Sequence, residues 1–338
     1  MPHHAFACQL GAAALCLATF TASAVVAQET PAAPAAKRTA VAERHPLDRV
    51  VVIGAGITGG FGARMVAEAG GERREADFDL GMVMDYIIDD DVSVVTVMTD
   101  YFYFKNPDRR ARKQTFDSRK QGPTTIVALD LLFWFAHQDI SATGDPDELL
   151  KARLVELDRG LSYLEGYNDK VNIIIGDIPD MGAAVGSRIA LLSPQVMPLK
   201  QNLPAINQHI RDWATLRGNT YVVPLSEFYA QAHAGQDVSV GPETWSSDIQ
   251  LLRDDKIHPT PEGLAAIGQL IGATMLDKIE GVEPSNMILI SPVIRAKMLE
   301  HVFATAPVAP RGPAPAIGTG ADDEDEKTTS ESGEQGDG

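Results

Sequence analysis

The chain has 338 residues, 44% of them hydrophobic, which is enough to bury one sizeable core once its two low-complexity ends are set aside. Its formal net charge is −17, and eight acidic residues between Asp322 and Asp337 are opposed there only by Lys327. So acidic a surface repels phosphate backbones and anionic lipid, which argues against nucleic-acid binding.

Residues 1–27 carry an apolar run from Leu10 that closes on Val25-Val26-Ala27, a small-residue cleavage pattern. The segment is expected to be a secretory signal peptide, so the protein is expected to be exported, periplasmic or secreted. His3 and His4 stand where such a segment usually carries Lys or Arg, which leaves a membrane anchor open as the alternative. On the signal-peptide reading the mature chain has no membrane span. It also has no thiol, because Cys8 and Cys16 both lie in the removed segment. Residues 28–46 are rich in Ala and Pro, and residues 304–338 run from Pro, Ala and Gly into the acidic tail. Neither stretch can bury enough apolar surface to fold alone, so both are expected to be disordered, flanking one domain at 47–303.

Within that domain, five short and nearly continuous apolar runs, at 50–53, 92–98, 125–129, 171–175 and 220–223, alternate with longer helical patterns. This is the signature of βαβ units and of a parallel sheet covered on both faces. The first run leads into a glycine-rich turn. Residues 70–79 carry charge and no strand character, and Tyr101, Phe102, Tyr103 and Phe104 alternate as a strand end would. The segment 147–164 spaces its leucines three and four residues apart, predicting a helix; 204–216 and 262–279 read the same way. The last helix opens with Thr260 as N-cap and Pro261 at the first helical position.

Two motifs carry chemistry. Gly54-Ala55-Gly56-Ile57-Thr58-Gly59 follows the first strand and spells G-x-G-x-x-G, the dinucleotide fingerprint. That reading needs a second strand ending in an acidic residue about 20 positions on, and Asp77 and Asp79 fall at that distance in a stretch without strand character. The glycines also fit a plain tight strand-to-helix turn. Far downstream, Asp255-Lys256-Ile257-His258-Pro259 precedes the capped helix. Two intervening residues let a carboxylate orient one imidazole nitrogen while the other faces a reacting group. As plain structure, the same residues would be a polar loop leading into the helix.

Together the two blocks resemble those of the SGNH (GDSL-type) ester hydrolases, whose first strand ends in Gly-Asp-Ser-(Ile/Leu)-Thr-x-Gly and whose last helix follows Asp-x-x-His-Pro. Gly54, Ile57, Thr58 and Gly60 match the first block, while Ala55 replaces its Asp and Gly56 its nucleophilic Ser. The segments 125–136 and 174–181 also look like those of bacterial SGNH-like proteins. The resemblance implies a flavodoxin-like, three-layer α/β/α sandwich on a five-stranded parallel sheet, with Asp255 orienting a base, His258. It also implies an oxyanion region at Gly56 and Asp130. Asp130 stands where the family has an Asn donor, and an ionised carboxylate there would repel an oxyanion. Gly81, placed after a first helix, and Gly122 are candidates for a second oxyanion glycine. Phe133, Trp134 and Phe135 are candidates for an acyl pocket or for plain core.

The leading expectation is therefore a degenerate ester hydrolase that binds a small ester, acyl or glycan-derived ligand, with no cofactor and no metal. Two alternatives stay open. One is an active esterase in which His258 activates water or another hydroxyl, such as that of Thr58, whose side chain should face elsewhere. The other is an FAD- or NAD-binding oxidoreductase built on the glycine turn.

Overall fold

The structure, a computed structural model, describes residues 44–88, 94–140, 144–185, 192–193 and 195–307. The expected signal segment, most of the linker, nearly all of the acidic tail, and Val92 and Ser93 lie outside the described residues. In chain order the elements are β1 (Arg49–Gly54), β2 (Arg64–Ala69), β3 (Glu72–Asp77), α1 (Leu80–Ile87), β4 (Val94–Thr99), α2 (Pro107–Lys120), β5 (Thr125–Ala128), the single turn α3 (Phe133–Ala136) and α4 (Pro146–Ser162). They continue with β6 (Asn172–Gly176), α5 (Leu203–Arg217), β7 (Thr220–Val223), α6 (Leu225–His233), β8 (Val238–Val240), β9 (Glu243–Trp245), α7 (Pro261–Lys278) and α8 (Ser291–Ala304).

Five strands form one parallel sheet in the order β4-β1-β5-β6-β7. Counting only these strands, the order is 2-1-3-4-5, the flavodoxin-like winding that reverses direction beside β1 and leaves a crevice at the carboxyl ends of the strands. Alternation along each strand divides the interior in two. Val50, Val52, Val127 and Ile174 enter a core with α1, α6, α7 and α8, whereas Val51, Ile53, Ile126, Ile173 and Ile175 enter a second core with α2, α4 and α5. The inner strands β1, β5 and β6 are thus buried on both faces, which is why they read as nearly unbroken apolar runs. The α7 helix is buried nearly all round and begins as its sequence predicts. Thr260 Oγ1 accepts from the Gly263 amide at 3.0 Å, and Pro261 occupies the first turn.

Two sequence expectations are corrected here. Residues 70–79 are not strandless: β3 pairs antiparallel with β2 in a separate two-stranded ribbon, Arg64 opposite Asp77 and Met65 opposite Ala76. Its tip is Gly70-Gly71, both at positive φ (62° and 81°), the conformation a two-residue hairpin turn of matching twist requires. The ribbon buries only Met65 and Ala76 and holds its polar face with Arg64 ion-paired to Glu75 and Asp77, and β3, charged at every position but Ala76, carries no apolar run. The glycine turn after β1 therefore leads into this ribbon and not into a helix, and Gly81 lies inside α1, the first helix, rather than after it. Nor do Tyr101 to Phe104 end a strand. β4 stops at Thr99, and Tyr103–Lys105 form a 3₁₀ turn that buries Tyr103 while Tyr101 and Phe102 stay exposed.

At Gly60, φ is +63° and an added Cβ would lie 1.8 Å from the Phe78 carbonyl oxygen, where the ribbon returns. Gly60→Ala is expected to cost at least about 2 kcal/mol in urea unfolding, because steric overlap adds to the left-handed penalty. Gly70→Ala, with nothing near its missing Cβ, should cost about 1 kcal/mol. Equal losses would contradict this account of the turn.

Candidate active site

Asp130 follows β5 and is 2% exposed. Its Oδ1 accepts from the Ala55 amide at 2.8 Å and from the Thr58 hydroxyl at 2.5 Å. Its Oδ2 accepts from the amides of Ile57 at 2.9 Å and Thr58 at 3.1 Å. These four donors account for the roughly four lone-pair sites of a carboxylate. Burial pushes the carboxyl above its ordinary pKa, and the Thr58 hydroxyl and the three amides pull against that rise. Asp130 thus lies in the region the sequence assigns it, but its carboxylate is engaged by the turn. The Thr58 side chain is fully buried, and its hydroxyl is bonded to Asp130. Gly56 is the one residue from Ala55 to Thr58 whose amide Asp130 does not take.

The same bonds bear on the dinucleotide reading. The amides that would receive a pyrophosphate are already satisfied by the chain's own carboxylate, whose charge would repel one. The ribose-binding role fails as well. Asp77 is ion-paired to Arg64 in the ribbon, and Asp79 caps α1 by accepting from Met82 N at 2.8 Å. The strand beside β1 on that side of the parallel sheet is β4, not β3.

The second half of the site is the loop before α7. Asp255 Oδ1 accepts from the amides of Ile257 (2.9 Å) and His258 (2.8 Å), and its Oδ2 lies 3.1 Å from His258 Nδ1. Burial raises the pKa of this carboxyl, but the His258 ring and the two amides outweigh it and hold the group at about 2. The ionised carboxylate fixes an N–H on Nδ1, so that in the neutral imidazole Nε2 is the acceptor. That nitrogen faces Gly56: a Cβ built there would lie 2.8 Å from Nε2. The loop is pinned from α6, where Tyr229 donates to Ile257 O at 2.6 Å and His233 Nε2 to Lys256 O at 2.8 Å. Lys256 takes a left-handed φ of 60°, which costs a non-glycine residue on the order of 1 kcal/mol and gives the loop its tight reversal.

Gly56, Asp130 and His258 line one cavity of about 320 Å³ at the carboxyl edge of the sheet. Its other walls are largely aromatic. Phe133 and Trp134 take part as the acyl-pocket reading has it, whereas Phe135 belongs to the second core. Sequence reasoning missed Phe61, whose ring centroid is 4.8 Å from that of His258, and the part played by Tyr101, Phe102 and Phe104. Tyr101 closes on the turn by donating to Gly59 O at 2.8 Å. Neither glycine proposed as a second oxyanion donor lines the cavity. Gly81 packs against Val97, and Gly122 follows α2 beside Arg44.

No sequence-family description matches the chain, and no curated protein does. In structure it is similar to solved lipases and acylhydrolases. A lipase/acylhydrolase from Enterococcus faecalis is 14% identical over 70% of this chain and 100% of its own, with a TM-score of 0.39. A variant of an acetyl-xylooligosaccharide esterase from Geobacillus is 12% identical over 71% and 97%, TM-score 0.42. A GDSL-like lipase from Parabacteroides merdae is 11% identical over 69% and 99%, TM-score 0.38.

Because the folded Asp255 has its pKa lowered to about 2 from an unfolded value of about 3.9, its contribution is complete above that unfolded value and is lost as pH falls towards the folded one. Asp255→Asn should therefore lower stability by about 2 kcal/mol at neutral pH, with the deficit closing between roughly pH 4 and pH 2. Denaturant unfolding of both proteins across that range checks it. A deficit independent of pH would contradict the pairing.

Proposed function

We propose that this protein is an exported homologue of the SGNH ester hydrolases that keeps the orienting acid and the base but has lost covalent catalysis. It binds a small ester, acyl or glycan-derived molecule at the carboxyl edge of the sheet without forming an acyl-enzyme. The observation that carries this reading is the aim of His258 Nε2 at the bare Cα of Gly56. In a hydrolase of this type Asp255 would fix the imidazole and His258 would take the proton of a serine hydroxyl as it attacks the ester carbonyl. Here position 56 offers no hydroxyl, and Thr58, the hydroxyl nearest in sequence, is bonded to Asp130.

Loss of the nucleophile from a serine hydrolase costs roughly a factor of a million in turnover. The oxyanion region is weakened too, since the Asp130 carboxylate replaces a neutral donor and is committed to the turn. The natural protein is therefore expected to be unreactive towards a fluorophosphonate probe, and its turnover of short acyl esters should not differ from that of His258→Ala. Esterase activity well above background, abolished by His258→Ala, would overturn the reading and favour water activation by the dyad.

A further inference from the structure

Two polar groups with no hydrogen-bond partner among the described residues belong to residues that line one largely apolar space. One is the His258 Nε2 lone pair, with Asp255 engaged at the other ring nitrogen. The other is the Gly56 amide, which Asp130 leaves free and which has no hydrogen-bond partner among the described residues. In the neutral imidazole with its proton on Nδ1, the first accepts a hydrogen bond, and the second can only donate one. Around them the cavity wall is built of aromatic and aliphatic side chains, including Phe61, Phe104, Phe133 and Trp134. Among the described residues no lysine or arginine lines it, and its one acidic group is the Asp130 carboxylate.

A ligand head group that matches this pair must donate and accept at one atom. A carboxylate accepts only, and it would face both the Nε2 lone pair and the charge of Asp130. A quaternary ammonium has neither function. A neutral hydroxyl has both: its proton goes to Nε2 and its oxygen receives the Gly56 N–H. We propose that the cavity binds an apolar primary alcohol, its hydroxyl between His258 Nε2 and the Gly56 amide and its chain along Phe104, Phe133 and Trp134. The alcohol oxygen then stands in the place left by the missing serine hydroxyl. This rests on the reading of position 56 as a vacated nucleophile site and names the ligand that the vacancy selects.

The test is equilibrium titration of the full-length protein with octan-1-ol, sodium octanoate and octyltrimethylammonium, followed by tryptophan fluorescence, since Trp134 lies in the wall. Trp134→Phe serves to assign the signal. Octan-1-ol should bind saturably and at least tenfold more tightly than either charged analogue. His258→Phe, which keeps a ring but removes the acceptor, should cut that preference to less than threefold. Octanoate or octyltrimethylammonium binding as tightly as the alcohol, no saturable binding of the alcohol, or a full preference in folded His258→Phe would each overturn the proposal. Should His258→Phe not fold, the order of the three ligands on the natural protein decides alone. Ester turnover by the natural protein counts against the degenerate-hydrolase reading only, whereas the binding order counts for or against the alcohol site only.

Discussion

The carboxylate of Asp130 accepts four hydrogen bonds from residues 55–58, and the shape of the turn that carries Gly56 depends on them. A buried carboxylate is costly unless its lone pairs are filled, and a tight turn is costly unless its amides are. Each solves the problem of the other. β5 brings Asp130 beside the end of β1 because the two strands are hydrogen-bonded neighbours in the sheet. The turn is then fixed in a shape that projects Gly56 towards the loop before α7. The bare Cα and the closeness of His258 go together, since any side chain at position 56 would have to displace the imidazole.

The loop that carries the imidazole is held from three directions. Asp255 folds it locally, the Tyr229 and His233 side chains of α6 hold its carbonyls, and the buried α7 anchors its far end through the Thr260 cap. The left-handed Lys256 shows that these restraints outweigh a local backbone preference. The imidazole is thus held in place beside Gly56.

Much of this was legible in the residues themselves. The inner sheet strands announced themselves because burial on both faces demands nearly unbroken apolar runs, and α7 because its cap and first-turn proline are local signals. Asp255 and His258 were found because their interaction is local in sequence. What escaped notice depends on contacts across long separations or on surfaces that bury little. β3 is charged at every position but Ala76, and Gly70-Gly71, a hairpin signal in its own right, could have betrayed the ribbon. The Phe61 ring reaches His258 across the fold. The clearest case is Asp130, whose partners the sequence did not show. A carboxylate in an oxyanion region is expected to repel, yet here it faces the donors of a turn 72 to 75 residues earlier in the chain.

The central claim is that residue 56 occupies a nucleophile position addressed by the Asp255–His258 dyad, and the most direct measurement is covalent labelling of Gly56→Ser by a fluorophosphonate. Gly56 has no positive φ, so its backbone accepts a serine, and the only close contact is the outer edge of the imidazole, which must retreat by a few tenths of an ångström. The account predicts that folded Gly56→Ser is labelled at position 56 and that Gly56→Ser/His258→Ala is not. A folded Gly56→Ser that stays unlabelled, or labelling that does not need His258, would contradict it.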